Sequence, residues 1–285
     1  MQPARVCSLL LPLLVALPGA DRTPAVVADE GIAVVVPAPG ETVWAETVEP
    51  DGDFDLVVVT RLPGGGVSVS RLGDQEPLGG MAVSGALPAC GDPAFTSFSH
   101  HAKDSYAWSF TASSTPSNLT SSKAISAAKR AAVNVVGTEN DCELPDGVKV
   151  GQSYAGTVNA GPNISNSSVC GTRDGTSVVG FGDLSSSNLG FACWWTSDGV
   201  LVEGDIKLNK VDFAWSISPA ASCKGKYAVE AVLTHEFGHV FGLDHVSEDL
   251  HGELTMSPLI ASCQLSETTL GAGDVGGLAA KYALG

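Results

Sequence analysis

The stretch "VLTHEFGHVFGLDH", residues 232–245, holds three of the six histidines in the chain. Residues four apart lie on one face of a helix, so His235 and His239 can direct their imidazoles at a single ion. Gly242 can take the left-handed conformation that ends a helix, and the chain can then turn back to present His245. Three histidines that leave one position open are typical of a catalytic zinc site.

Glu236 directly follows the first of these histidines and is not needed as a ligand. We assign it the role of general base, which takes a proton from water acidified by the metal and passes it to a leaving amine. Two histidines four apart on a helix occur by chance, but the spacing H-E-x-x-H-x-x-G-x-x-H fixes five positions. The sequence therefore predicts one catalytic Zn2+ held by His235, His239 and His245.

The composition narrows the class of protein. A hydrophobic fraction of 44% with only 16% charged residues is typical of a globular chain, and 285 residues are enough for one or two domains. The formal charge of −16 argues against nucleic acid or an anionic membrane as a partner. We expect a monomer that acts on a protein or peptide substrate.

The first twenty residues have the pattern of a secretory signal peptide. Arg5 precedes the short apolar run "VCSLLLPLLVAL", and Ala20 is a small residue suited to cleavage. Removing residues 1–20 leaves six cysteines, and an even count in an exported chain predicts three disulfides with fifteen possible pairings. They are Cys90, Cys142, Cys170, Cys193, Cys223 and Cys263. We therefore expect a secreted, extracellular protein.

Two regions follow the leader. Residues 21–89 contain four short strand patterns, "GIAVVV", "ETVWAETV", "FDLVVVTR" and "GVSVSRL", the last two joined by the turn "LPGGG". "GDQEPLGG" and "SGALPACGDP" read as linker. Residues 90–285 mix strands such as "LGFACWW" and "LVEGDIKLN" with three helical patterns, "SNLTSSKAISAAKRAAVNVVG", "YAVEAVLTHEFGHVFG" and "DVGGLAAKY". The fold class is predicted to be α+β.

The zinc motif resembles that of the metzincin metalloproteases residue for residue. Met256, in "LTMSP", is similar to the methionine turn that this clan carries beneath the metal. "HEFGHVFGLDH" and "LGAGDVGGLAAKY" most resemble the matrixin branch, and the similarity spans about 96–285. The resemblance implies a metzincin-like catalytic domain with a twisted, mostly parallel sheet, and "LGFACWW" or its neighbour as the edge strand that binds extended substrate.

Some residues depart from the matrixin pattern. Val246 stands where matrixins usually have serine, and no histidine occurs between 150 and 220 to form a second, structural zinc site. Calcium is a possible further ion, and Asp174, Asp183 and Asp205 are open candidates that are equally readable as ordinary loop carboxylates.

"PACGDP", residues 88–93, is similar to the propeptide stretch P-R-C-G-x-P-D, whose cysteine keeps matrixins latent. Ala89 and Ala94 replace its arginine and aspartate, and using Cys90 as a switch would leave one cysteine unpaired. A structural role for Cys90 is the favoured alternative. Sequence proximity and similarity to secreted, bacterial-type matrixin-like proteins suggest the pairs Cys90–Cys142, Cys170–Cys193 and Cys223–Cys263.

The sequence thus predicts a secreted zinc endopeptidase, with residues 21–89 as a propeptide or an attached accessory segment. One alternative is a secreted binding or adhesion protein that retains an inactive metzincin scaffold. A second is a zinc hydrolase of a non-peptide amide. The polar surroundings of His100 and His101 predict that both are exposed at the surface.

Overall fold

A computed structural model describes residues 26–29, 32–50, 54–72, 87–217 and 223–285. The predicted leader, 1–20, and the predicted linker at 73–80 lie outside the described residues. The strands before the linker are β1 (Val26–Asp29), β2 (Ile32–Val35), β3 (Glu41–Val48), β4 (Phe54–Arg61) and β5 (Val67–Leu72). After it come β6 (Thr96–Ser97), β7 (Ser105–Phe110), β8 (Gly151–Thr157), β9 (Val169–Cys170), β10 (Val178–Gly182), β11 (Gly190–Ser197), β12 (Val200–Asn209), β13 (Ala214–Ser216), β14 (Lys226–Ala228) and β15 (Leu243–Asp244).

Eight strands form one mixed sheet in the order β5-β4-β3-β11-β12-β10-β7-β8. The four strands β12, β10, β7 and β8 run parallel to one another, whereas β11 is antiparallel to β12. Strands β3, β4 and β5 continue this sheet through an antiparallel ladder between β3 and β11. The predicted α+β class is confirmed, and β11 is not an edge strand.

The described part of the chain contains four helices beside the sheet: α1 (Ser121–Val136), α2 (Val229–Val240), α3 (Glu248–His251) and α4 (Ala272–Tyr282). The Thr120 side chain accepts a hydrogen bond from the Lys123 amide and so caps the start of α1. Helix α1 packs on α2, where the amide of Asn134 donates to the Thr234 hydroxyl over 3.2 Å. None of the described helices combines the length and the apolar character needed to cross a membrane.

Two apolar clusters fill the two faces of the sheet. The larger one lies under α1, α2 and α4, and includes Trp108, Trp194 and Phe237. The other, which we call the outer core, consists of Ile32, Val34, Val43, Ala45, Val57, Val59, Ile164, Cys170, Leu184, Phe191, Cys193 and Trp195. Half of these residues come from the strands before the linker and half from the region after it. The N-terminal strands therefore bury their apolar side chains against the downstream region.

The alternation of side chains along β3 decides what this strand contributes to each face. Val43 and Ala45 point into the outer core, so Trp44, Glu46 and Val48 point to the opposite face, toward α2. This places a glutamate on the inward side of the sheet, above the helix that carries the histidine motif.

Candidate metal centre

The three predicted ligands meet at one point. His235 and His239 lie one turn apart on α2, and His245 returns after the helix has ended. Their Nε2 atoms are separated by 3.0 Å (His235–His239), 3.0 Å (His235–His245) and 3.1 Å (His239–His245). His235 and His239 are fully buried, and His245 is 8% exposed.

Backbone carbonyls fix which nitrogen of two of these rings carries the proton. Nδ1 of His235 lies 2.8 Å from the Thr255 carbonyl, and Nδ1 of His239 lies 3.0 Å from the Leu243 carbonyl. A carbonyl oxygen only accepts, so each Nδ1 donates and each Nε2 presents a lone pair to the centre of the cluster. Such outer hydrogen bonds are those that orient metal-ligating histidines.

The donor set fits zinc. Tetrahedral ligands at a Zn–N distance of about 2.0–2.1 Å stand about 3.3–3.4 Å apart, close to the separations seen here. Burial lowers the pKa of His235 to about 4 and the pKa values of His239 and His245 well below their ordinary value, so all three rings are neutral, which is the ligating form. Converging lone pairs repel one another unless a cation lies between them.

Glu236 lies beside the cluster and is completely buried. No backbone, hydroxyl or amide donor among the described residues reaches either of its oxygens. Burial raises the pKa of its carboxyl to about 8, and a bound cation would oppose that shift. A β-carbon added to Gly190 would lie 2.5 Å from Oε1 of Glu236, so the missing side chain at the start of β11 makes room for this carboxyl.

A fourth possible ligand comes from the N-terminal strands. Glu46 of β3 directs its two oxygens at the histidines, with Oε2 3.6 Å from Nε2 of His239 and Oε1 3.5 Å from Nε2 of His245. Glu46, His235, His239 and His245 form the one group of three or more potential metal ligands within the described residues. Glu46 was not among the predicted site residues, because its alternation with Trp44 and Val48 indicates a shared strand face but not what that face covers.

Glu46 is also fully buried, and its oxygens likewise lack a backbone, hydroxyl or amide donor among the described residues. Burial and, secondly, the neighbouring Glu236 carboxylate raise the pKa of Glu46 well above its ordinary value. Two buried carboxylates side by side are unfavourable unless they share a proton or a cation.

The return of the chain to His245 depends on Gly242. Its φ of +95° is in the left-handed region, and a β-carbon there would lie 2.9 Å from the His100 carbonyl oxygen. After it, β15 pairs with β6 in an antiparallel bridge, and the Thr96 hydroxyl donates to the carbonyl of His245. The segment around β6 therefore anchors His245.

The predicted exposure of His100 is wrong, whereas His101 is exposed as expected. His100 is 1% exposed, packs among Trp44, Phe98 and Trp194, and places Nε2 3.2 Å from the Val240 carbonyl. Its polar neighbours in sequence suggested a surface loop, but aromatic rings from two strands bury it. Burial lowers the pKa of His100 to about 4.

Met256 lies in a turn closed by a hydrogen bond of 3.0 Å from the Ser257 amide to the Leu254 carbonyl. A β-carbon added to Gly238 on α2 would lie 2.4 Å from Sδ of Met256, so the methionine packs directly against the helix between the two histidines. Asp274 of α4 holds this turn by accepting the amides of Thr255 (2.9 Å) and Met256 (3.3 Å). Sequence reasoning did not identify Asp274 or Gly238.

The cysteines form three disulfides, Cys90–Cys142, Cys170–Cys193 and Cys223–Cys263, which are the pairs suggested by the resemblance. Cys90 is thereby committed to a bridge and offers no thiol to the histidine cluster. Cys170–Cys193 ties β9 to β11 within the outer core.

The calcium prediction finds no support among its candidate residues. Asp205 uses its two oxygens to accept the amides of Asn163 (2.9 Å) and Val178 (2.7 Å), and Asp174 accepts the amide of Thr176 (2.9 Å). These bonds give both carboxylates a role in holding loop backbone.

Comparison with known families agrees with the geometry. Residues 187–283 match the sequence model of the matrixin family, a span that contains β11, β12, α2, the three histidines, Met256 and α4. The match covers about a third of the chain. No curated protein matches the chain. The matrixin resemblance is therefore confirmed for this region, and together with the histidine and glutamate cluster it indicates a zinc metalloprotease.

Proposed function

We propose that the protein is a secreted zinc-dependent endopeptidase. The convergence of three neutral imidazole nitrogens at 3.0–3.1 Å, beside a buried glutamate, is the observation that carries this proposal. Three disulfides support an oxidising, extracellular setting, in line with the predicted leader. The matrixin match supports a protein or peptide as the substrate.

His235, His239 and His245 would hold the zinc, which when bound polarises a carbonyl and acidifies water. Glu236 is buried next to Glu46 of the histidine cluster and would act as general base, taking the proton of the attacking water and delivering it to the leaving amine. Met256 packs beneath the ligands against Gly238 and would keep the helix at a fixed height. The Thr255 and Leu243 carbonyls would keep two rings in the ligating orientation.

Glu236 also separates this proposal from its main alternative, a secreted binding protein with an inactive scaffold. Such a protein has no need for a glutamate directly after the first histidine, and Glu236 is present there and is completely buried. Its presence favours the catalytic role.

The test measures hydrolysis of a quenched casein substrate by the wild type and by Glu236→Gln, with zinc quantified in both. Both proteins are assayed as secreted and again after extended proteolysis has degraded the strands before the linker, with circular dichroism to establish that the remaining chain is folded. We expect zinc in both proteins and cleavage by the wild type alone. Zinc in both without cleavage by either, in both forms, would favour the binding protein, and absence of zinc would refute the metal site itself.

A further inference from the structure

Strand β3 lies where an extended substrate is expected to bind. Residues 41–48 pair with residues 190–197 of β11 over eight positions, from Glu41 opposite Ser197 to Val48 opposite Gly190. A peptide that adds to the free edge of a sheet makes the same kind of main-chain ladder. While β3 is paired, that edge of β11 is not available to any other chain.

The register of this ladder brings Glu46 to the metal centre. Glu46 stands opposite Ala192, whose small side chain leaves the space above it to the glutamate. Both oxygens of Glu46 stand 3.5–3.6 Å from histidine nitrogens, close to the separation of about 3.3–3.4 Å between neighbouring ligands of a tetrahedral zinc. Three histidines leave one position open, and Glu46 faces it.

Charge balance points the same way. Glu46 and Glu236 bring two carboxyl groups to a site that buries both completely, and a single Zn2+ at the histidines would balance the charge of both. Because no backbone, hydroxyl or amide donor among the described residues reaches these oxygens, such a cation would account for their burial.

Further contacts hold β3 and β4 over the site. Arg173, in the loop before β10, forms an ion pair with Glu41 at the start of β3 (2.8 Å). The ring of Phe54 on β4 meets the ring of His245 edge-on, with 4.1 Å between their centroids. Trp44 stacks parallel to Trp194 of β11. The N-terminal strands thus cover the metal ligands as well as the edge of the sheet.

We infer that β3 keeps the enzyme latent by pairing with β11 while Glu46 serves as the fourth zinc ligand, in place of the water that hydrolysis requires. This inference rests on the proposed function and assigns its regulation. It also gives the N-terminal strands the role of an inhibitory segment. A cysteine is not needed for latency, since Cys90 is bonded to Cys142.

The test compares full-length wild type with Glu46→Gln, which keeps the size of the side chain but replaces a zinc-ligating carboxylate with a poor ligand. Asp55→Asn is the matched control, because it removes a carboxylate from the neighbouring strand β4 whose ion-pair partner, Arg71, lies on β5 and not at the histidines. Each protein is loaded with Co2+ to record its visible absorption, which reports the ligand set directly. Binding of a peptide hydroxamate, a metal-directed probe of the cleft, is measured on the zinc forms.

We expect the Co2+ spectrum of Glu46→Gln to differ from that of the wild type, and its affinity for the hydroxamate to rise by about tenfold or more, because the probe no longer displaces a bound carboxylate. Asp55→Asn should resemble the wild type in both. Identical spectra for wild type and Glu46→Gln, or an equal change in Asp55→Asn, would overturn the inference.

The two proposals can fail separately. If Glu46→Gln changes the spectrum and admits the hydroxamate, yet no form of the protein cleaves peptide after its N-terminal strands are removed, then Glu46 is the metal ligand and the endopeptidase function is wrong. If the protein cleaves peptide but Glu46→Gln leaves the spectrum and probe affinity unchanged, the function stands and the latency inference is wrong.

Discussion

Replacing Gly190 by alanine should disable the base while sparing the metal. The new β-carbon would lie 2.5 Å from Oε1 of Glu236 and 3.2 Å from Cγ1 of Val48. Ordinary contact begins near 3.4 Å, so the Glu236 oxygen must retreat by about 0.9 Å, the difference between 3.4 and 2.5. The contacts found for that β-carbon include no atom of the three histidines.

The magnitude follows from that displacement. Misplacing a reacting group by about 1 Å can lower the rate about 100-fold, which corresponds to about 2.7 kcal/mol in the activation free energy. Since the histidine cluster is not crowded, zinc should remain bound at one ion per chain. We therefore expect Gly190→Ala to lower kcat about 100-fold with little change in zinc content.

The assay is hydrolysis of a quenched peptide after extended proteolysis has degraded the N-terminal strands, with zinc content, circular dichroism and the unfolding temperature measured on the same samples. Gly151→Ala is the control, because Gly151 lies on β8 at the far edge of the sheet and its new β-carbon would stand 3.3 Å from Ser105 Oγ, a close contact away from the histidines. A zinc-loaded Gly190→Ala protein with kcat within about threefold of its parent would refute the assignment of Glu236 as the base.

Three further predictions concern the support of the site. Asp274→Asn keeps only one acceptor oxygen for the amides of the methionine turn, so we expect about 1–3 kcal/mol less stability by urea unfolding and about tenfold weaker zinc binding in a chelator competition. Gly242→Ala combines a positive φ with a collision against the His100 carbonyl and should lower stability by about 2 kcal/mol or more. Gly65→Ala, with φ +93° and open space around the new β-carbon, should lower it by only about 1 kcal/mol. Equal losses of stability in thermal unfolding would contradict the collision at Gly242. Folding lowers the pKa of His100 from 6.5 to about 4, so the contribution of neutral His100 to stability is complete above pH 6.5 and about 3 kcal/mol is lost as the pH falls toward 4. His100→Gln should lose less stability over that range. Parallel pH profiles of stability for the two proteins would refute the burial of a neutral His100.

The convergence of the three histidines was predictable because their spacing is local. His235 and His239 are related by one helical turn, and Gly242 marks where the helix ends, so a short stretch of sequence contains most of the geometry. Strands β3, β4, β12 and helix α1 were predictable for the same reason, since alternation and capping are read over a few residues. Their bounds in the structure agree closely with those patterns.

Residues that reach the site through tertiary packing were not predictable in this way. Glu46 arrives because β3 pairs with a strand far along the chain, and nothing in "ETVWAETV" names its partner. The resemblance implied that "LGFACWW" or its neighbour is the edge strand, but β11 and β12 both lie inside the sheet and β3 covers the edge of β11. His100 was misassigned because its burial is created by Trp44 and Trp194, which come from two distant strands. The pairing of strands distant in sequence places Glu46 at the site, covers β11 and buries His100, and a local sequence pattern does not predict such pairing.

The shared outer core predicts that the N-terminal strands stay bound to the downstream region when the linker between them is cut. A specific protease site placed in the predicted linker, residues 73–80, would cut the chain between the N-terminal strands and the downstream region. The cut fragment should stay bound, because β3 keeps its eight-residue ladder with β11 and Val43 and Val57 remain packed with Phe191 and Trp195. Gel filtration of the cut protein should therefore show both pieces eluting together, and Glu46→Gln should weaken their association about tenfold or more.

Immediate separation of the zinc-loaded wild-type pieces would mean that covalent linkage alone keeps β3 over the metal. If the N-terminal fragment stays bound until it is itself degraded, then cutting the linker is insufficient for activation. The reason is that neither the contact of Glu46 with the zinc nor the packing of the outer core depends on chain continuity.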